Sequence, residues 1–538
     1  MSKVRVFARG VVLNWVALGI TIVVSFFLSP YAIHKLGNVG YGVWTLVNSL
    51  ISYMELLDLG LRGAITRFVS RDHAAGKHEE AGRAVSAALW FRLAIGLTIV
   101  LVSLVLSRLA VPVFHIPSTL AKSASWAIIT MGAALALTLT GGLFGGILAG
   151  LHRFDYLSGS TIGQTLLRAA GFVFLLESGH GIVALAIWEL FCVAAGTVVR
   201  IALCFYEYSE LRISLRLPDG AIVRSLWTYS FYAFVINFSI QLVYYTDNLV
   251  VGRFVSAEAV TFYAIGGGLM AYLRQLVASL TQTFTPLASS LDARGRPDHV
   301  RQLLIQGTRA AMLLALPVEV GLLFRGPSFI GLWVGQQYVE IAGTVLRILL
   351  VSEVFAIANY TSAGIAYGLS KHRPVAMWAI GEGLGNLAVS TVLVRYMGIL
   401  GVAWGTVIPG LIIHVLIWPR YASKIAGIPI LSYLWQAWFR PLFAAVPFAI
   451  GCYIAGRTWR VQSLPQFFVQ IAALLPIYLL TVALCFRKDT MDLARRLGWF
   501  RSSLSESPAS KSATNGADEN VSSQAAATAS AGAGSKDI

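Results

Sequence analysis

The stretches AAGKHEEAGR (residues 74–83) and ARGRPDHVRQ (residues 293–302) resemble each other, and this likeness decides the fold of the 538-residue chain. When the two stretches are aligned, Gly76 lies opposite Gly295, 219 positions later. A similarity at such a spacing is the first sign that the second half of the chain repeats the first.

Three further matches follow in the same order at nearly the same spacing. GLHR from Gly150 is repeated as GLSK from Gly368, GIVALA from Gly181 as GVAWGT from Gly401, and GYGVW (40–44) as TFYAI (261–265), at offsets of 218, 220 and 221 residues. Each match is short, but four in one order predict two related halves. Duplicated halves that handle substrate where they meet are typical of transporters.

The composition indicates an integral membrane protein. Hydrophobic residues make up 57% of the chain and charged residues only 12%, whereas a soluble domain carries about 25% charged residues. A membrane-spanning helix needs roughly 20 apolar residues. Fourteen such runs are predicted, at residues 10–33, 40–60, 87–111, 124–149, 159–178, 182–205, 228–252, 256–284, 308–332, 342–366, 374–395, 399–421, 440–457 and 465–486.

These runs divide the chain into four segments. We expect an N-terminal six-helix lobe (1–206), a C-terminal six-helix lobe (207–424), two additional transmembrane helices (425–486) and a tail (487–538). From about residue 502 the tail lacks aromatic residues and nearly lacks large aliphatic ones, so it is predicted to be a disordered cytoplasmic extension. The longest loops, 62–86 and 287–309, are predicted to form amphipathic surface helices.

The distribution of Lys and Arg predicts the orientation. With the N-terminus in the cytoplasm, the inner side holds 22 of these residues before the tail and the outer side holds 8. Both termini are therefore expected inside. The net charge of +16 then reflects topology and contact with anionic lipid, and no nucleic-acid partner is expected. The four cysteines all fall in predicted spans without a CxxC pair, so neither a metal nor a cofactor is predicted.

Two stretches of the sequence resemble a known family. They are LSPYAIHKLGNVGYGVWTLVNSLISYMELLDLGLRGAITRFVS (28–70) and DNLVVGRFVSAEAVTFYAI (247–265). Together they are similar to the polysaccharide-transporter branch of the multidrug/oligosaccharidyl-lipid/polysaccharide exporter superfamily, over residues 1 to about 486. The family often has Gly where Thr261 stands here. The resemblance implies a flippase for sugars linked to undecaprenyl diphosphate.

Charged residues inside the spans are the candidates for function, because burying them in lipid is costly. The arginines of this kind are Arg92, Arg168, Arg274 and Arg347, and their possible counter-charges are Glu189, Asp247, Glu319, Glu353 and Glu382. The planar fork of Arg suits phosphate oxygens. Each arginine has the alternative of a buried ion pair. Arg168 and Glu189 lie at similar depths in neighbouring spans and are expected to pair.

Arg274 is the preferred substrate contact. Gln275, Ser279 and Gln282 form a polar stripe on span 8, with Arg274 at its edge. The family resemblance implies that spans 1, 2, 7 and 8 line a central cavity. The stripe is therefore expected in the transport pathway, and the cavity is expected to be partly cationic. The alternative is that Arg274 is half of a structural ion pair.

Span 7 carries a second polar stripe. It consists of Asn237, Gln241, Tyr244 and Asp247. Asn237 and Gln241 are further candidate substrate contacts. Asp247 is a candidate for coupling transport to a cation or a proton, with helix capping as the alternative.

The inner end of span 2 offers a site for first capture of a diphosphate. Arg62 and Arg67 are the candidate residues there, although Asp58 and Arg62 have the spacing of a simple helical ion pair. Elsewhere, GGLFGGILAG (141–150) is a face of small residues that is expected to serve tight helix packing.

The sequence thus predicts an all-α integral membrane protein with about 14 transmembrane helices, in two pseudo-symmetric six-helix lobes plus two C-terminal helices. The predicted function is alternating-access flipping of a polyprenyl-diphosphate-linked oligosaccharide, such as an O-antigen, capsule or exopolysaccharide unit, across the bacterial inner membrane. Its partners would be this substrate, membrane lipids, and a polysaccharide polymerase and export machinery. A peptidoglycan lipid-precursor flippase and a cation-coupled multidrug exporter are the alternatives within the superfamily. A membrane-embedded sugar polymerase or ligase is the alternative of another class, but the long polar outer loop of such an enzyme is missing, so no enzyme is predicted.

Overall fold

A computed structural model describes residues 3–58, 61–213, 238–239, 241–281 and 283–487 of the chain. Within these residues the regular structure is helical, without strands. Helices α1 to α6 are Lys3–Met54, Leu61–Ala74, His78–Val113, Ser118–Gly150, Phe154–Glu177 and Ile182–Glu207. Helices α7 to α12 are Thr246–Phe254, Ala257–Thr281, Phe284–Ala293, Pro297–Trp333, Val339–Gly368 and Arg373–Met397. Helices α13 to α17 are Ile399–Leu411, Trp418–Ile425, Ile430–Leu434, Arg440–Thr458 and Leu464–Cys485.

The predicted repeat is present in the backbone. Gly76 and Gly295 both adopt positive φ, 70° and 62°, in the turns that precede α3 and α10. His152 and Ser370 also adopt positive φ, 59° and 57°, at the equivalent turns after α4 and α11. Packing repeats as well, since α3 packs against α4 as α10 packs against α11, and α5 against α6 as α12 against α13. The sequence matches therefore mark the same turns in two related halves.

The number of membrane crossings differs in detail from the prediction. Eleven helices in the described part of the chain are long and apolar enough to cross a membrane. Predicted spans 1 and 2 are merged in α1, where Gly37 (φ 69°, ψ 171°) interrupts the helix between them. Predicted span 8 corresponds to α8, which is not among the eleven, and much of span 7 lies outside the described residues. The count of fourteen stays a prediction.

The two halves meet where α1 crosses α8. A Cβ atom added to Gly42 would lie only 1.8 Å from the carbonyl oxygen of Ala257, so no side chain fits at this crossing. Thr261 donates a hydrogen bond of 2.6 Å from its hydroxyl to the carbonyl oxygen of Asn38. The residue that departs from the family pattern, Thr261, is thus part of the contact between the halves.

The face of small residues on α4 serves packing, as predicted. A Cβ added to Gly141 would lie 2.4 Å from the Thr197 hydroxyl on α6, and one added to Gly150 would lie 3.0 Å from the Thr66 carbonyl oxygen on α2. Both neighbouring helices approach α4 more closely than any larger side chain would allow.

The predicted loops 62–86 and 287–309 each contain a short helix, α2 and α9, followed by the turn at the positive-φ glycine and the start of the next long helix. Of the C-terminal helices, α16 packs against α10. The chain forms one compact unit over Met1–Val482, and the second unit, Ala483–Ile538, lies largely outside the described residues, as does the predicted tail. The four-segment division stays a prediction.

Candidate functional site: a polar cavity in the helix bundle

A cavity of about 400 Å³ lies between α1, α7, α8, α11, α12 and α13. On α8 the lining residues are Tyr263, Ala264, Gly267, Gly268, Ala271 and Arg274, which recur at helical spacing and so form one face. Four of these six residues are small, and they leave the space that the cavity occupies. The charged and titratable residues of the wall are Tyr244, Asp247, Arg274, Glu353, Glu382 and His414, besides three further tyrosines.

Arg274 lies in the cavity wall, as predicted, and it is held there by two contacts. Its Nη1 donates a hydrogen bond of 3.0 Å to Oε2 of Glu353 on α11. Its guanidinium carbon lies 4.4 Å from the ring centroid of Tyr244, a cation–π contact. The Arg274 side chain remains 21% exposed. The sequence left Glu319 and Glu353 as alternative partners, and the structure selects Glu353.

The described wall of the cavity holds more acidic than basic side chains. It contains three carboxyl groups, Asp247, Glu353 and Glu382, against one guanidinium and one imidazole. The guanidinium is already paired with one of these carboxylates. Part of span 7 lies outside the described residues, and the expectation of a partly cationic cavity stays a prediction.

Asp247 is buried at the start of α7 and bonds to two hydroxyl groups. It accepts hydrogen bonds from Tyr263 (2.5 Å) and from Thr406 (2.7 Å) through the same oxygen, Oδ2. Its other oxygen, Oδ1, makes no hydrogen bond within the described residues. Asn386 extends the group, because its amide donates to the Thr406 hydroxyl at 3.3 Å. Asp247 thus belongs to a polar group in the cavity wall, and its coupling role stays a prediction.

His414 was not singled out from the sequence. Its Nε2 lies 3.1 Å from Oε1 of Glu382, and both side chains are largely buried. His414 belongs to a π-helical segment, Ile412–Ile417, that follows Pro409 in the helix. Short π-helical segments often occur at functional positions. A histidine in an apolar run a few residues after an intrahelical proline was the available signal.

The remaining residues of the α8 stripe do not line this cavity. Gln275 is exposed on a neighbouring face of the helix. Ser279 donates its hydroxyl to the Leu276 carbonyl at 2.7 Å, within its own helix. Gln282 lies outside the described residues, as does Asn237 of the span 7 stripe. The cavity face of α8 is rotated by about one residue from the predicted stripe, because successive residues of a helix point about 100° apart.

Gln241 lines a second cavity, of about 340 Å³, together with Glu55 and Asp58. Its amide nitrogen donates to the Ser52 carbonyl at 2.8 Å and so links the two halves. Asp58 forms an ion pair of 2.9 Å with the buried Arg92. Its pairing with Arg62 stays a prediction, because the Arg62 side chain is outside the described atoms.

The two arginines predicted at the inner capture site lie on α2. Arg67 is exposed there, and the side chain of Arg62 lies outside the described atoms. Whether they contact substrate stays a prediction.

Two other intramembrane arginines are accounted for by structural contacts. Arg168 pairs with Glu189 at 2.5 Å, which confirms the predicted ion pair between α5 and α6. Arg347 is exposed and donates to the Leu323 carbonyl at 3.2 Å. Of the four intramembrane arginines, Arg274 is the one that lines the described cavity.

The sequence profile of the polysaccharide biosynthesis protein family matches residues 7–292, more than half of the chain. The MatE family profile matches residues 233–392. The two matched ranges overlap and together reach from α1 to α12.

The chain is also similar to individual proteins over most of its length. The chain is 24% identical over 467 residues to the uncharacterized membrane protein EpsK of Bacillus subtilis, covering 85% of this chain and 89% of that protein. It is 22% identical over 395 residues to the probable low-salt glycan biosynthesis flippase Agl15 of Haloferax volcanii, covering 73% and 79%.

Among solved structures, the lipid II flippase MurJ in an inward closed conformation superimposes with a TM-score of 0.69 at 15% identity, over 89% of this chain and 99% of that one. This likeness shows the fold, and the profile matches show the family. The chain belongs to the polysaccharide biosynthesis protein family, in the polysaccharide-transporter branch of the multidrug/oligosaccharidyl-lipid/polysaccharide exporter superfamily.

Proposed function

We propose that this protein is a flippase that moves a polyprenyl-diphosphate-linked oligosaccharide across the bacterial inner membrane, with both termini in the cytoplasm. The substrate would be a repeat unit of O-antigen, capsule or exopolysaccharide. The family and the relatives named as flippases support transport rather than catalysis. A polysaccharide polymerase and export machinery are the partners that such a substrate would require.

The observation that carries this proposal is the position of Arg274. It is a guanidinium in the wall of a cavity that the second half of the chain forms together with Tyr41 and Thr45 of α1, and part of its surface is still exposed. The Glu353 carboxylate is bound to this guanidinium at the position that an anionic ligand would take. Two oxygens of a phosphate group can accept from the guanidinium fork side by side, as the two oxygens of a carboxylate do, and a diphosphate carries more negative charge, so it can displace Glu353.

Movement of the substrate requires that the two halves rock about this cavity. The halves touch at the α1–α8 crossing, and the cavity lies beside it. Asp247 is proposed as the residue that couples this movement to a cation or a proton, because its carboxylate lines the cavity with one oxygen unused among the described residues.

The acidic wall favours a second candidate. A cavity with three carboxyl groups would suit a cationic drug, as expected for a cation-coupled multidrug exporter. The two functions differ in the sign of the ligand charge. A peptidoglycan lipid-precursor flippase carries the same diphosphate chemistry and differs in the sugar.

Reconstitution in liposomes tests the proposal. Flipping of a fluorescent polyprenyl-diphosphate oligosaccharide should be lost in Arg274→Ala and partly retained in Arg274→Lys, because Lys keeps the charge but not the fork. Losing a charge-assisted contact of roughly 1.5–3 kcal/mol corresponds to about ten- to hundredfold weaker binding. Arg347→Ala is the matched control, since Arg347 is an intramembrane arginine outside this cavity. Efflux of a cationic dye without lipid flipping would favour the exporter.

A further inference from the structure

Two buried carboxyl groups lie on the neighbouring helices α10 and α11, and one of them, Glu353, lines the cavity. Glu353 on α11 is 7% exposed and accepts a hydrogen bond from Arg274 through Oε2, whereas its Oε1 has no partner in the described part of the chain. Glu319 on α10 is 5% exposed, and neither of its oxygens has a hydrogen-bond partner there. Helix α10 packs along α11, and Glu353 is the charged group that acts electrostatically on Glu319.

Three arginines on α10 and α16 have described contacts of their own. On α10 itself, Arg325 donates to Gln470 at 3.1 Å. On α16, Arg457 stacks over the ring of Tyr453 at 4.6 Å. Arg440, at the other end of α16, begins that helix, and Arg309 near the start of α10 donates to the Gln436 carbonyl at 3.2 Å.

The groups that face Glu353 from the cavity are also accounted for. The hydroxyl groups of Tyr244 and Tyr360 lie 3.3 Å apart, and the Arg274 guanidinium stacks on the Tyr244 ring. His414 lines the same cavity and is paired with Glu382 at 3.1 Å.

Charge balance then requires a proton. Among the described residues, two carboxylates against one guanidinium would leave a negative charge on groups that are 5–7% exposed, and an uncompensated buried charge is strongly unfavourable. Glu353 keeps its charge because it holds Arg274, so the proton resides on Glu319. When a diphosphate takes Arg274, Glu353 loses its cation and faces the same cost.

We propose that Glu353 and Glu319 form a proton-binding site that exchanges Arg274 for a proton. As the diphosphate binds Arg274, the hydrogen bond from Nη1 to Glu353 breaks and a proton from water forms an O–H bond on the released Glu353 carboxylate. The pair then carries a proton on each carboxyl, and the arginine is neutralised by the substrate. This inference rests on the proposed contact of Arg274 with the diphosphate.

The exchange makes substrate binding depend on pH. Wherever binding of one diphosphate takes up about one proton, the affinity falls about tenfold for each unit of rising pH. Release of the diphosphate on the other side of the membrane returns the proton to water there. Transport of the anion would thereby carry protons with it.

Calorimetric titration of the purified full-length protein with inorganic pyrophosphate, in two buffers of different ionisation enthalpy, tests this. The unaltered protein should take up about one proton per ligand, beyond the uptake measured with Glu353→Gln. Glu353→Gln should bind without the extra uptake and with a flat pH profile, because the amide mimics the protonated acid. Glu340→Gln, an exposed residue on the same helix, is the control and should behave as the unaltered protein.

Glu319→Gln tests the resting proton separately. It should fold as well as the unaltered protein and keep the uptake, because an amide replaces a neutral acid. A severe loss of stability in this variant would overturn the assignment of the proton to Glu319.

The two proposals fail in different ways. Suppose that binding is lost in Arg274→Ala. The proton exchange is then overturned if the unaltered protein shows no excess proton uptake, or if Glu353→Gln has the same pH profile as the unaltered protein. Either result leaves the flippase proposal standing. Pyrophosphate binding that survives in Arg274→Ala contradicts the contact on which both rest. If Glu353→Gln does not fold, the uptake by the unaltered protein is compared with the uptake expected from the titration of free pyrophosphate alone, and an excess of about one proton is required.

Discussion

Asn38 and Glu258 stand 220 residues apart, at equivalent places in the two halves, and their side chains meet: the Asn38 amide donates 3.1 Å to Oε1 of Glu258. Tyr338 also donates to the Asn38 side chain, and Thr261 donates to its carbonyl at 2.6 Å. These contacts lie at the predicted outer end of the bundle. These hydrogen bonds join the two halves at this end of the bundle. Opening of the bundle at this end would therefore break them.

Cross-linking this contact should stop transport. A short bis-methanethiosulfonate reagent applied to Asn38→Cys combined with Glu258→Cys would tie the halves together and prevent outward opening. We expect flipping in liposomes to fall to the background and to return when the link is reduced. Each single cysteine variant serves as the control. Full transport in the cross-linked protein would show that this end does not open.

Gly42→Ala should destabilise the closed arrangement. The new methyl group would lie 1.8 Å from the Ala257 carbonyl oxygen, so α1 and α8 would have to separate. Overpacking of this kind costs about 1–3 kcal/mol. Gly19→Ala in the same helix meets nothing within 4 Å and should be neutral or slightly stabilising. Thermal unfolding in detergent compares the two, and equal melting temperatures would contradict the close crossing.

The orientation can be tested by labelling cysteines in intact cells with a membrane-impermeant maleimide. Lys77→Cys should react only after permeabilisation, and Gln337→Cys should react from outside, as the distribution of Lys and Arg predicts. Lys77 is preferable to Gly76 because the positive φ of Gly76 disfavours a side chain. Both positions lie in exposed turns. Labelling of Lys77→Cys from outside would invert the topology.

The repeat was predictable because it depends on turns. A helix must end somewhere, and a backbone with positive φ favours glycine, so Gly76 and Gly295 kept their places in both halves. The pair Arg168–Glu189 was predictable because two opposite charges at one depth in consecutive spans have a short path to each other. Neither inference needed the rotation of a helix about its axis.

The cavity was not predictable in this way, because its wall depends on rotation. Arg274 and Gln275 are adjacent in sequence, yet only Arg274 faces the cavity. Glu353, Glu382 and His414 come from three segments, and the sequence holds no sign that these segments converge. The sequence therefore could not identify Glu353 as the ion-pair partner of Arg274, and the structure was needed for this.

Arg168 and Glu189 should behave as a purely structural pair. Arg168→Ala leaves a largely buried carboxylate, and because Arg168 is 39% exposed we expect a loss of stability of about 1–2 kcal/mol, below that of a fully buried pair. Arg168→Ala combined with Glu189→Ala should restore both protein level and flipping. These are measured by immunoblot and by the liposome assay. A double variant that folds but does not transport would give this pair a role in the pathway.

Arg274 and Glu353 should show the opposite pattern. Arg274→Ala strands a buried carboxylate, which costs about 3–5 kcal/mol unless a proton neutralises it, so the loss should shrink as the pH falls. Adding Glu353→Ala removes the stranded charge, and we expect the melting temperature to recover. Flipping should stay lost in the double variant, because no guanidinium remains in the described wall to hold the diphosphate. Stability and flipping are measured on the same preparation, beside the Arg168 and Glu189 variants. Recovery of both properties in Arg274→Ala with Glu353→Ala would reduce Arg274 to a structural residue and end its proposed role in substrate binding.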